Sequence, residues 1–200
     1  MTEARTVSVI VPCRNERDGI EAFCADALGQ SLPDGWQLQL IVADGASDDG
    51  TRERLQDLAR TEPRLTLVDN PQRIVSAGLN RALAVAAGAV IVRMDVHTRY
   101  APDYVAQCLQ ALERSGADNV GGPWRAEGHD GWPGAIAAAF QSRWVAGGAR
   151  SRSLTYEGEV DTVYLGCWPR ATFDRFGGFD ETLVRNQDDE HNLRIVLGGG

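Results

Sequence analysis

The sequence predicts a single α/β domain, a mostly parallel central sheet flanked by helices. Two observations carry that expectation. Between Thr6 and Gly116, apolar runs of strand length alternate four times with segments of helical periodicity. Runs such as "VSVIV" and "AVIV" are apolar on both faces, as strands sandwiched between helices must be. A third observation agrees: no internal repeat or low-complexity linker divides the 200 residues, a length that suits one such domain and is short for two.

Each element has a local reason. "TVSVIVPC" is β-branched and ends with Pro12, which reads as a buried strand. "ERDGIEAFCADALGQ" spaces Ile20, Phe23, Cys24, Ala27 and Leu28 as a helix does, with Gly29 as its stop. "WQLQLIVAD" is a second strand, ending at Asp44. "SDDGTRERLQDLART" opens with capping chemistry and continues as an amphipathic helix on Leu55, Leu58 and Ala59. "RLTLVDNP" is a third strand, "IVSAGLNRALAVAAG" a third helix and "AVIVRMD" a fourth strand. "APDYVAQCLQALERSG" is a fourth helix with Pro102 in its first turn, and "ADNVGGPW" a further short strand.

After Gly121 the alternation stops. "GAIAAAFQSRWVAG" predicts a core or lid helix striped by Ile136, Phe140 and Trp144, too short to cross a bilayer. "EGEVDTVYLGCW" reads as a strand or hairpin, "RATFDRFGG" as a short helix and "DDEHNLRIVLGGG" as the start of a last helix. Three closing glycines with no further element predict a domain truncated at its C-terminus.

Bulk properties narrow the function classes. A net charge of −8 gives little counterion release on a polyanion, so nucleic acid is not an expected partner. Cys13, Cys24, Cys108 and Cys167 are scattered without a C-x-x-C pair, which predicts reduced thiols in a cytoplasmic domain. "MTEARTVSVIVP" lacks the build of a signal peptide, and no segment reaches membrane-spanning length.

The chemistry gathers where parallel sheets bind ligands, at the carboxyl ends of strands. Asp44 ends the second strand and Asp95 the fourth, and "PCRNE" brings Arg14, Asn15 and Glu16 to the same edge. A single aspartate there would be a turn or cap residue; two at equivalent ends point to a polar ligand. The loop after the first strand has neither a G-x-G-x-x-G nor a P-loop pattern, so backbone amides do not cradle a phosphate there. A divalent ion bridging a diphosphate to side chains is the remaining solution, and Asp95 with His97 supplies oxygen and nitrogen donors. "NQDDEH" is either a solvated helix start, its acids facing the helix dipole, or the source of a general base.

The motifs "VSVIVPCRNE", "VADGASDDGT", "RMDVH" and "NQDDEHNLR", in this order, resemble the family 2 nucleotide-sugar glycosyltransferases with the GT-A (Rossmann-like) fold. The resemblance runs from Thr6 to Arg194. "NPQRIVSAGLNRAL", "VDTVYLG" and "GGFDETLVRNQDDE" are similar to the succinoglycan-type glucosyltransferases of bacterial exopolysaccharide assembly. The resemblance implies that Pro12, Arg14 and Glu16 line the nucleotide pocket and that Asp44 accepts a hydrogen bond from uracil. Asp95 would lie beside the ribose and diphosphate, with His97 in the place of the second acid of D-x-D. Asp188 matches the catalytic base, with Gln187 replacing the preceding glutamate. Imidazole in the ligand set favours Mn²⁺ over Mg²⁺, and binding should weaken below an imidazole pKa of about 6.5.

The implied activity is inverting transfer of a sugar, glucose by analogy, from a UDP-sugar to a saccharide or lipid-linked saccharide acceptor. The analogy places it at the inner face of the cytoplasmic membrane, attached through a region beyond residue 200. The alternative is a nucleotide-sugar-binding or scaffolding module that has lost catalysis, which the altered D-x-D motivates. Arg73, Arg93 and Arg170 are further candidates to hold the diphosphate, and Trp124, Trp132 and Trp168 to stack on sugars; salt bridges and packing are their commoner uses.

Overall fold

The computed structural model describes residues 5–142, 144 and 150–200, the side chain of Arg152 excepted. Its five strands are β1 (Arg5–Cys13), β2 (Trp36–Asp44), β3 (Leu65–Asp69), β4 (Val90–Arg93) and β5 (Cys167–Pro169). They lie in the order β3-β2-β1-β4-β5, and only β5 runs antiparallel to its neighbour. The helices are α1 (Ile20–Leu28), α2 (Thr51–Thr61), α3 (Val75–Val85), α4 (Tyr104–Ser115), α5 (Gly131–Gln141), α6 (Arg170–Phe176) and α7 (Gln187–Leu197).

Strand alternation divides the core into two layers. Val7, Val9, Val11 and Cys13 of β1 pack with Ile20 and Phe23 of α1, Leu55 of α2, and Val105 and Leu109 of α4. Ile10, Ile41, Ile91 and Trp168 point the other way, onto Leu79 and Ala82 of α3, Phe173 of α6 and Ile195 of α7. Residues of both layers are fully buried, as the two-sided apolar runs require. Gly116 ends α4 in the left-handed conformation at φ 65°, its N–H donating to the Leu112 carbonyl at 2.9 Å.

The chain moves outward from β1 through β2 to β3, then returns to place β4 on the far side of β1. Such a reversal opens a crevice at the carboxyl ends of the two strands that flank it, here β1 and β4. The fold therefore sets the ligand edge before any side chain is considered.

Several local expectations need correction. "ADNVGGPW" forms no strand, only one antiparallel bridge between Val120 and Cys167. Of "EGEVDTVYLGCW", only Cys167 and Trp168 enter a strand; Leu165 at φ 63° and Gly166 at φ 100° break extended geometry just before it. α5 is not a core helix: Ala137 is its one buried residue, Ile136 and Phe140 are exposed, and the helix stops before Trp144. Pro102 lies in the turn before α4, whose N-cap is Asp103. All four cysteines are free and buried, and burial pushes the Cys24 thiol up to about 12. Among the described residues, no helix is long and apolar enough to cross a membrane.

Candidate active site

Two loops at the crevice are fastened to each other. The Gly45 N–H donates to the Cys13 carbonyl at 2.7 Å, and the Asn15 N–H to Ser47 Oγ at 2.9 Å. The side chain of Asn15 and residue Asp48 exchange two hydrogen bonds of 3.0 Å. Glu16 N–H donates to Thr51 Oγ1 at 2.8 Å, and Arg17 N–H to Asp49 Oδ2 at 3.1 Å. The loops run so close that a Cβ on Gly45 would sit 3.2 Å from the Cβ of Arg14. Asn15 (φ 56°) and Ala46 (φ 54°) hold left-handed backbone there, a strain that surrounding structure must impose. An open cavity of about 370 Å³ lies against the first loop, lined by Asn15, Glu16, Arg17, Asp18, Gly19 and Asp49.

The predicted nucleotide residues fall around this frame. Pro12 is half-buried near the end of β1, in register with Ala43, and Arg14 is exposed on the loop beyond. Asp44 is buried, and its carboxylate already has partners. It accepts the Ser47 hydroxyl at 2.6 Å and the Ser47 N–H at 3.3–3.4 Å. Arg52 reaches it at 3.1 Å and also bridges to Asp69 at 2.6 Å. Arg52 and Ser47 carried no functional reading in the sequence. The D-x-x-S spacing was the available signal, since a short acid commonly caps the turn it begins.

Across the crevice, Asp95 and His97 meet Glu16. Asp95 Oδ1 accepts the His97 N–H at 3.0 Å, and the Asp95 N–H donates to the Tyr100 hydroxyl at 2.8 Å. His97 Nε2 lies 2.8 Å from Glu16 Oε1, with the His97 side chain largely exposed. Burial raises the Glu16 carboxyl above its ordinary range, against the pull of His97 and with the push of Asp95. Among the described residues, no group of three or more His, Cys, Asp or Glu side chains is arranged to hold a metal ion. Asp95 and His97 bring an oxygen and a nitrogen donor to this point, the His97 Nε2 facing Glu16, and an ion held there would need further donors from a bound phosphate.

The three acids opening α7 separate into different roles. Glu190 pairs with Arg194 at 2.5 Å, and Asp189 accepts the Thr162 hydroxyl at 3.1 Å. Asp188 turns inward and forms an ion pair with Arg93 of β4. Arg93 is 5% exposed in its side chain and Asp188 16%, so the pair is largely withdrawn from water. Asp188 thus stands at the sheet edge that carries Asp95, two residues beyond Arg93.

Other candidates are placed elsewhere. Arg170 Nε donates to the Gly88 carbonyl at 2.8 Å, and its guanidinium also reaches the Ala86 carbonyl, at the amino end of β4 and away from the crevice. Trp168 is 1% exposed in the aromatic core with Phe173, Phe179 and His191, so it cannot stack on a sugar. His191, without an assigned partner in the sequence, bonds the Gly177 carbonyl through Nε2 at 3.2 Å.

Comparison with known proteins places the chain in a family. The model of the family described as glycosyl transferase family 2 matches residues 8–170. The succinoglycan biosynthesis protein ExoA of Rhizobium meliloti is 33% identical over 193 residues, covering 96% of this chain and 58% of that protein. The structure of the Pyrobaculum calidifontis mannosyltransferase PcManGT, in complex with GDP-Man and Mn²⁺, superposes with a TM-score of 0.71 at 27% identity, covering 96% of this chain and 51% of that one. TarS of Staphylococcus aureus in complex with UDP shares the fold, with a TM-score of 0.67 at 15% identity over 96% of this chain and 55% of its own. The described chain is thus equivalent to just over half of each of these proteins. With the family's model matched over most of its length, the chain belongs to glycosyltransferase family 2.

Proposed function

We propose that this domain transfers a sugar, glucose by preference, from a UDP-sugar to a hydroxyl of a saccharide or lipid-linked saccharide acceptor, inverting the anomeric centre. One observation carries the reading. The Arg93–Asp188 ion pair draws the first turn of α7 to the last residue of β4, two residues before Asp95, across 95 residues of chain.

In this reading, the loop frame of Pro12, Arg14, Glu16 and Asp44 receives the nucleoside, and Asp95 lies beside the ribose and diphosphate. Asp95 and His97 would hold a divalent ion, Mn²⁺ in preference to Mg²⁺, whose charge stabilises the departing UDP. Asp188 accepts the proton of the acceptor hydroxyl as that oxygen bonds to the anomeric carbon. The bond from that carbon to the diphosphate breaks on the opposite face, and its electron pair leaves with UDP. A single displacement converts an α-linked donor into a β-glycoside without a covalent enzyme intermediate. A lipid-linked acceptor would bring the domain to the inner face of the cytoplasmic membrane.

The test scores nucleoside diphosphate release from UDP-glucose, UDP-galactose, UDP-N-acetylglucosamine and GDP-mannose, with Mn²⁺ or Mg²⁺. Asp188→Asn should keep UDP binding, which also reports a folded protein, and lose roughly 10²–10⁴-fold in turnover. Normal turnover by that variant would place the base elsewhere. UDP binding without release from any donor, in the presence of bacterial membrane extract as acceptor, would favour a binding module that has lost catalysis.

A further inference from the structure

We propose that Arg93 is the positioning residue of the base, fixing through Asp188 where the acceptor proton is taken relative to the diphosphate subsite. The inference rests on the reading of Asp188 as the base.

Pleating makes Arg93 anomalous. β4 sends Val90 and Val92, with Met94 after them, into the layer of α1, α2 and α4, and Ile91 into the layer of α3, α6 and α7. Arg93 follows Ile91 by two residues, so its guanidinium enters beneath α7 on the side of Trp168 and Phe173. A buried charge pair contributes little stability that an apolar pair of similar volume would not, because desolvation offsets the attraction. Folding alone gives no reason for an arginine here.

Its geometry gives one. The Arg93 N–H donates to the Gly166 carbonyl at 3.0 Å and the Met94 N–H to the Ile10 carbonyl at 3.1 Å, so the strand beneath the side chain is fixed on both sides. Arg93 Nη1 donates to Asp188 Oδ1, which leaves Oδ2 for an acceptor hydroxyl. α7 does not orient Asp188 by capping, since its N-cap Asn186 is left-handed at φ 61° and makes no side-chain cap. Asp189 and Glu190 are held by Thr162 and Arg194 instead. Arg93 ends β4 and Asp95 follows two residues later, past Met94 whose N–H is held by the Ile10 carbonyl, so one short, fixed segment sets both the base and the diphosphate residue. The other titratable groups around the pair are Asp95, Tyr100 and Tyr164 on the Arg93 side and Asp189, Glu190 and buried His191 on α7.

The test uses UDP release from UDP-glucose with Mn²⁺ and water as acceptor, on Arg93→Met, Arg93→Lys, Asp188→Asn and the double variant Arg93→Met/Asp188→Asn. Arg93→Met should lower kcat by about 10–100-fold while the Kd for UDP changes by less than about threefold. Arg93→Lys should recover most of that loss. Added to Asp188→Asn, Arg93→Met should cost nothing further, because it acts only through the carboxylate. Removing a neighbouring cation raises a carboxyl pKa, so the acid limb of kcat should move to higher pH in Arg93→Met. A carbon-13 NMR titration of the Asp188 carboxyl, assigned by its absence in Asp188→Asn, reads the same displacement without turnover, by roughly 1–3 pH units.

The proposal is overturned if the two losses multiply in the double variant, or if the carboxyl titrates alike with and without Arg93. It is also overturned if UDP binding falls in step with kcat. Should Arg93→Met not fold, Arg93→Gln decides by the same titration, since it also removes the cation: a rise is expected, and an unmoved carboxyl overturns the idea. Normal turnover by Asp188→Asn removes the base reading itself. An inactive Asp188→Asn beside fully active Arg93 variants removes only the role of Arg93.

Discussion

Asp44→Asn separates the recognition proposed for the carboxyl end of β2 from bracing. Two carboxylate oxygens offer about four acceptor positions. The Ser47 hydroxyl, the Ser47 N–H and Arg52 take three of them, and because the side chain is fully buried a nucleobase N–H reaches the fourth only where the partly exposed Arg52 gives way. Asparagine keeps an oxygen for Ser47 but turns an amide toward Arg52. A hydrogen bond to a charged group contributes ~1.5–3 kcal/mol. The Arg52 side chain is 34% exposed and retains Asp69, so solvent screening reduces the expected loss. We take about 1–2 kcal/mol, a fall in Tm of roughly 2–8 °C for a domain of this size. If the remaining position reads uracil, UDP affinity should also fall by about tenfold or more, whereas CDP affinity should barely change. Calorimetric titration with UDP and CDP, alongside thermal melts, measures both effects. A lowered Tm with unchanged UDP affinity and UDP-to-CDP ratio would make Asp44 a brace alone and refute its assignment to the base.

Three further outcomes are expected. His97→Ala should reduce Mn²⁺-dependent UDP affinity by roughly tenfold or more. Its Tm should hold within about 2 °C because the ring is exposed; unchanged affinity removes His97 from the ion site. Gly166→Ala should destabilise by about 2–6 kcal/mol in a urea melt, combining left-handed strain with overpacking. Its new Cβ would lie 2.6 Å from Trp168 Cη2 and 2.7 Å from Asn119 Oδ1 at φ 100°, and an unchanged midpoint would contradict that crowding. Burial lowers the His191 pKa below 6.5, so the unfolded chain binds a proton first on acidification. His191 should therefore contribute no loss above that pH and a growing loss as pH falls through the window beneath it. His191→Phe should show a flatter stability profile there, and parallel profiles would refute the assignment.

The fold was legible where periodicity decides structure. "VSVIV" and the "LIVA" of "WQLQLIVAD" read as strands covered on both sides, and in a parallel sheet their ends place Asp44 and the loop of Glu16 at one edge. After Gly121, local composition misleads. "VDTVYLG" is rich in β-formers, yet it closes on left-handed Leu165 and Gly166, the second packed so near Trp168 that no Cβ fits. The site was partly legible for the same reason. "NQDDEH" revealed an acidic helix start but not which acid turns inward, because the choice depends on how α7 crosses the sheet. The hint lay elsewhere, in a lone arginine closing the apolar run "AVIVR".

An acidic chain that binds a diphosphate must first neutralise its own edge. Three acids of this crevice are set beside nitrogen bases: Asp44 with Arg52, Asp188 with Arg93, and Glu16 with His97. The two arginine pairs screen their carboxylates at all working pH values, since a guanidinium does not deprotonate. The imidazole does so only when protonated, and a protonated ring cannot ligate an ion. Each pair also spans separate elements: β2 to α2, β4 to α7, and the β1 loop to the β4 loop. Neutralising one of these acids therefore changes the field and releases a structural contact together. A loss of activity in such a variant identifies a catalytic role only when ligand affinity, stability and turnover are measured side by side, and when the matching cation is substituted as well.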